Sequence, residues 1–136
     1  MKTFLRISAL AALLSAGAAL AQSPAEALRG LESAARAADP AFSGFSAELG
    51  AAFFHAPHGR DRSCSSCHTD DPRAAGRHVV TGKGLAPLAP ARNAERFSNP
   101  AKTEEWFRRN CGDVLGRECT TVEKGNVITY LVSLRP

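Results

Sequence analysis

The sequence predicts an all-α domain, several short helices joined by long loops. Three observations carry that expectation. Apolar residues recur at three- and four-residue spacing in segments punctuated by Ser-Pro, Asn-Pro and a capping pair. From Asp70 to Ala91 turn residues dominate; this stretch has no periodic face to bury and reads as backbone wrapped round something else. Just before it stands Cys64-Ser65-Ser66-Cys67-His68, two thiols and an imidazole at the spacing of a c-type haem attachment site.

Met1 to Ala21 reads as an export signal. Lys2 and Arg6 precede an apolar run from about Ile7 to Leu20, which ends in Ala19-Leu20-Ala21, the small-x-small cleavage pattern. A membrane span needs roughly 18–20 apolar residues, and this run is shorter and broken by Ser15 and Gly17. Cleavage after Ala21 implies a periplasmic protein with no membrane span in its mature form. It also removes Met1, the chain's single methionine, and takes two charges from a formal net charge of +4. The remaining charges are interleaved, which is not the basic stripe of a nucleic-acid binder. The expected organisation is a leader at 1–21, an Ala-rich helix or arm at 22–42, and one haem domain at 43–136.

The helices follow in order. Ser23-Pro24 and Asp39-Pro40 bracket a segment whose Leu28, Leu31 and Ala35 share a face. It is a thin amphipathic helix lying on the domain, or a frayed arm. In "FSAELGAAFF", Phe45, Leu49, Ala52 and Phe53 form a helical stripe. Asn99-Pro100 opens a third helix, supported by Glu104–Arg108 and Glu105–Arg109 pairs and stopped at Gly112. The last carries a Thr120–Glu123 capping box and a stripe of Val127, Tyr130, Leu131 and Leu134. Gly125 inside it costs about 1 kcal/mol relative to alanine, and marks a place for another helix to approach closely.

The haem motif carries the chemistry. Each thiol, Cys64 and Cys67, adds across one vinyl group of the porphyrin, giving one covalently bound haem c, and His68 then ligates the iron from the proximal side. A zinc site needs four ligands from paired clusters, but Cys111 and Cys119 do not form a second Cys-x-x-Cys. A redox dithiol needs a βαβ context that is missing. With four cysteines in an exported chain, one pair serves the haem and one pair is left over. The distal side is open on local chemistry. His55, His58 and His78 read as surface loop; Lys83, Lys102, Tyr130 and the two remaining cysteines are further donors. Asn110 shares a helical face with Trp106, which reads as a pocket wall with a polar point, or as a simple helix cap.

The run "TGKGLAPLAPARNAERFSNPAKTEEWFRRNCGDVLGREC" resembles the second half of the sphaeroides haem protein group, high-spin class I cytochromes c. Its most specific portion is the Trp-x-x-x-Asn-Cys run with the Gly-Arg-acidic-Cys that follows. The resemblance implies that Asn110 is the distal iron ligand and that Cys111 and Cys119 are disulfide-bonded. Small class I cytochromes give the proximal imidazole N–H to a proline carbonyl in a Gly-Pro-x-Leu-like stretch. "GLAPLAP" is similar, making Pro87 the candidate acceptor, with Leu88 and Trp106 in the haem pocket. Such cytochromes also cross their first and last helices at a glycine and an aromatic, here Gly50 and Phe54 against Val127 and Tyr130.

A neutral amide is a harder and weaker donor than a thioether. The expected function is therefore electron transfer by a periplasmic monohaem cytochrome. Its reduction releases Asn110 and opens the iron to a small diatomic gas, O₂ or NO. The resemblance suggests another, multihaem, cytochrome as redox partner, with the chain itself a monomer. A haem enzyme (peroxidase or NO-oxidising) and a redox or gas sensor are the alternatives. The sequence shows no proton donor near Asn110, which ranks the enzyme lower.

Overall fold

A computed structural model describes residues 22–136 of the chain; the expected leader, 1–21, lies outside the described residues. The order of elements is α1 (Pro24–Ala38), α2 (Ala47–His55), α3 (Ser65–His68), β1 (Gly76–Arg77), β2 (Gly84–Leu85), α4 (Pro100–Leu115) and α5 (Thr121–Ser133). The expected all-α class holds. The one addition is a two-stranded antiparallel ribbon, β1 on β2, that pairs Gly76 with Leu85 and Arg77 with Gly84. It gives partial order to the stretch read as irregular. Among the described residues, no helix is long and apolar enough to cross a membrane.

Helix α1 begins where Ser23-Pro24 says it should, with a full capping box between Ser23 and Glu26. It packs on α5, burying Ala35 and setting Ala27, Leu28 and Leu31 against the core. The core is a cluster of Phe54, Phe97, Val127, Ile128 and Leu131.

The crossing of α2 and α5 sets the frame. A Cβ on Gly50 would lie 2.0 Å from the Asn126 carbonyl oxygen and 2.9 Å from the Tyr130 Cβ. The two backbones therefore touch where only glycine fits. Phe54, one turn on, meets the Tyr130 ring at 5.7 Å between centroids. This contact turns α2 so that Gly50 and Phe54 face inward and Leu49 is 60% exposed. The expected stripe through Leu49 and Ala52 is corrected accordingly. Asn126 is buried at the same crossing, and its Oδ1 accepts the Ser46 N–H at 2.8 Å. It thus serves the N-cap residue of α2.

Three further expectations change. Gly125 makes room for the Phe45 ring rather than a helix: an added Cβ would come within 2.2 Å of that ring. Helix α4 continues past Gly112 and stops at Gly116, whose φ of +75° is the left-handed cap that glycine adopts without strain. The i, i+4 pairs of α4 are not formed; Glu104 instead pairs with Lys124 of α5, and Arg117 with Glu123 at 2.7 Å.

Candidate haem centre

A cavity of about 470 Å³ opens between the haem motif, the β1–β2 ribbon, α4 and α5. It is in the size range of small-molecule and cofactor sites. Its first wall is α3. Cys64, Cys67 and His68 stand at i, i+3 and i+4 on this single turn, which is closed by the His68 N–H to Cys64 carbonyl bond at 3.1 Å. That spacing turns all three side chains to one face, and all three line the cavity. The turn is fixed from both ends. Before it, the Ser63 N–H donates to Ser66 Oγ and the Ser66 N–H to Ser63 Oγ, at 3.0 and 3.1 Å. After it, Thr69 takes a φ of +63°, an unusual angle for a β-branched residue. The strand β1 presses on the turn at Gly76, where an added Cβ would lie 2.2 Å from the Cys67 carbonyl oxygen.

Electrostatics suit a metal on this wall. Burial, with repulsion from Arg96 and His78, lowers His68 to about 4. Its imidazole is therefore neutral near neutral pH, the form in which it ligates metals. Burial pushes the Cys64 thiol up to about 11.

The opposite wall is α4. Trp106, Phe107, Asn110, Cys111 and Val114 line the cavity from successive turns, flanked by Arg109 and Asp113. Leu88 lines it too. Cys111 and Cys119 form a disulfide, both almost fully buried, and both border the cavity. Cys64 and Cys67 are joined to no other cysteine.

The other donors separate by place. His55 hydrogen-bonds the Tyr130 hydroxyl at 3.2 Å and His58 the Phe53 carbonyl at 2.9 Å, both outside the cavity lining. His78 and Lys83 sit on the lining. His78 Nδ1 accepts the Val80 and Thr81 N–H groups, both at 3.2 Å. Lys102 lies over the Trp106 ring, 5.1 Å from its centroid.

Pro87 requires correction: it is not part of the lining, and its carbonyl accepts from Asn93 Nδ2 at 3.2 Å and Arg96 Nε at 2.9 Å. Arg96 is the residue the sequence did not reveal. Its guanidinium also donates to the Ala86 carbonyl at 3.0 Å and lies 4.7 Å from the Trp106 centroid. It thus clamps the Ala86–Pro87 loop to α4 from the cavity wall. Asp113 was also missed, although its place three residues after Asn110 puts it on the same helical face. Arg109 reaches the cavity, while Arg117 pairs with Glu123.

The haem fits this donor set. Two unjoined thiols and a neutral imidazole share one wall of an apolar cavity. Arg62, Lys83, Arg96 and Arg109 outnumber the single carboxylate, Asp113, around it, a balance that suits a group carrying two propionates.

Short helices crossing at Gly50 and a thiol–thiol–imidazole turn on the cavity wall make this chain a c-type cytochrome. Its relatives agree. Residues 40–131 match a domain family of unknown function, DUF1924. The chain is 40% identical to cytochrome c-type protein SHP of Cereibacter sphaeroides over 98% of this chain and 99% of the relative. It is also 40% identical to cytochrome c″ of Methylophilus methylotrophus, over 73% of this chain and 72% of that one. The structure of oxidised SHP, described as an oxygen-binding cytochrome c, superposes with a TM-score of 0.73 at 36% identity, covering 84% of this chain and 99% of SHP. Oxidised cytochrome c″ superposes with a TM-score of 0.74 at 33% identity, over 83% of this chain and 95% of the other. The chain belongs to the family of SHP and cytochrome c″ and, like them, is a haem c protein.

Proposed function

We propose that the chain is an exported monohaem cytochrome that carries electrons and, once reduced, exchanges Asn110 for a small diatomic ligand. When bound, the haem would supply a redox-active iron. Cys64 and Cys67 hold it covalently and His68 takes the proximal position. Arg62, Lys83, Arg96 and Arg109 balance its propionates. Asn110 would offer the iron a neutral amide from the α4 side, a donor that suits the harder ferric state better than the ferrous one. The observation that carries this reading is Asn110 on the cavity lining, one residue before a cysteine tied by a disulfide. The description of SHP as oxygen-binding, and of the cytochrome c″ solution structure as bearing on haem-ligand detachment, supports it by kinship.

Export before maturation agrees with the charged, apolar and small-residue sections of 1–21. The redox partner is then another cytochrome, and the working form a monomer.

Asp113 favours a second reading, a peroxide- or NO-converting enzyme. It puts a carboxylate on the lining beside Asn110, where general acid–base chemistry needs a group to relay a proton.

Replacing Asn110 with methionine tests the first reading. The variant is expected to show a low-spin spectrum and to ignore carbon monoxide when reduced, while the parent is high-spin and binds it. A parent that stays fully six-coordinate on reduction and refuses carbon monoxide ends the proposal. Peroxide turnover lost in Asp113→Asn, with carbon monoxide binding retained, supports the second.

A further inference from the structure

A second cavity, of about 210 Å³, lies between α1, α4 and α5. Its body is apolar, made by Ala27 and Leu31 of α1, Phe107 of α4 and Ile128 of α5. Its polar margin is Gln22, whose buried Oε1 has no hydrogen-bond partner among the described residues, together with the Glu104–Lys124 ion pair. Nothing in the proposed iron chemistry uses it.

Two residues connect it to the haem centre. Thr103 and Phe107 line both this cavity and the large one, so they form a common wall. Phe107 stands three residues before Asn110 on α4, which places the wall on the Asn110 side of the large cavity. The lining of that cavity instead carries charged Arg62, Lys83, Arg96, Arg109 and Asp113. Small uncharged molecules partition into apolar cavities, which take up xenon and benzene where water does not settle. O₂, NO and carbon monoxide share that chemistry.

We propose that this smaller cavity is a docking site for apolar diatomic gas, and that Phe107 is the gate between it and the position held by Asn110. The proposal rests on the reading that the reduced protein binds such a gas. Gas collects between α1 and α4, and passes Phe107 when its ring turns aside. Helix α1 thereby gains a role beyond covering α5: it supplies one wall of the site.

Xenon tests the site and carbon monoxide tests the route, both on the haem-loaded protein. Under xenon pressure, the methyl resonances of Ala27, Leu31 and Ile128 are expected to shift while the rest of the core stays unmoved. Gly30 borders the cavity, and a Cβ there meets no atom within 4 Å, so Gly30→Trp has room for its Cβ and sets an indole beside the space. It is expected to abolish the xenon shifts and to slow carbon monoxide association after photolysis several-fold. Phe107→Leu is expected to speed association.

Unmoved methyl resonances overturn the site. Association rates equal to the parent in both variants, with Val79→Trp on the half-exposed part of the large cavity's lining slowing it instead, overturn the route. A reduced parent that takes up no carbon monoxide sinks the functional reading on which the route rests. The xenon shifts still decide the chamber in that case.

Discussion

The backbone of Gly76 lies directly against that of Cys67, so that a Cβ would stand 2.2 Å from the Cys67 carbonyl oxygen and 3.0 Å from the His68 Cα. Two backbones in contact have no rotamer with which to make way. The ribbon β1–β2 is therefore a buttress for the turn that carries both thiols and the imidazole. Gly76→Ala is expected to push that turn out of line. Haem content per purified chain, read from the alkaline pyridine spectrum, should fall together with Tm. Full haem incorporation at the parent Tm would show that the ribbon is free to lift away.

The glycines Gly50 and Gly30 predict opposite effects of the same substitution. At Gly50 an alanine methyl would overlap the Asn126 carbonyl. Overpacking at such a contact costs about 1–3 kcal/mol or more. At Gly30, mid-helix in α1, the methyl meets nothing within 4 Å, so the helix gains about 0.8–1 kcal/mol from the lost flexibility. Denaturant unfolding of Gly50→Ala and Gly30→Ala should move the midpoint down and up respectively. A stabilised Gly50→Ala would mean that α2 and α5 do not touch there.

Local chemistry was legible in the sequence, and distances between segments were not. Ser23, Asn99 and Thr120 announced the starts of α1, α4 and α5, because an N-cap needs only its own helix. The face of α2 was misread. Leu49 looks like core by hydropathy, yet Gly50, with no side chain, decides which way the helix turns by letting α5 in. Gly112 looked like a stop for the same reason that Gly116 is one. Only the left-handed φ at Gly116 separates them. The motif Cys64 to His68 announced its own chemistry, since the i, i+3, i+4 spacing is local. Arg96 reaches the Pro87 carbonyl from nine residues away, and no pattern in the sequence marks that reach. Asp113 lay within the pattern, three residues beyond Asn110, and a helical wheel would have found it.

Stability should fall in acid through Glu123. The Arg117 guanidinium and the Thr120 cap hold its carboxyl below the usual carboxylate value. A folded-state value that is depressed stabilises the protein above the unfolded pKa, near 4.3, and loses that contribution as pH falls through the folded one. Glu123→Gln keeps the N3 amide for the capping box but loses the ion pair. Its Tm is therefore expected to lie below the parent's near neutral pH and to converge on it in acid. Parallel curves from pH 7 to pH 2 would assign the effect to the cap alone and exclude the charge.

The disulfide between Cys111 and Cys119 separates two roles that one variant can resolve. As a staple, closing a loop of this length is worth about 2–3 kcal/mol; Cys111→Ser with Cys119→Ser should lower the unfolding free energy by that amount, and the midpoint with it. Yet both cysteines border the haem cavity, and Cys111 follows Asn110 directly. Cutting the bridge frees the last turn of α4 from the segment that leads into α5. If the bridge restrains Asn110, the double variant should also bind carbon monoxide more tightly when reduced, because less of the binding energy goes to displacing a held side chain. Its oxidised spectrum should shift as well. A lower midpoint with unchanged carbon monoxide affinity and an unchanged oxidised spectrum would leave the bridge as a staple only, and would place the restraint on Asn110 in α4 itself.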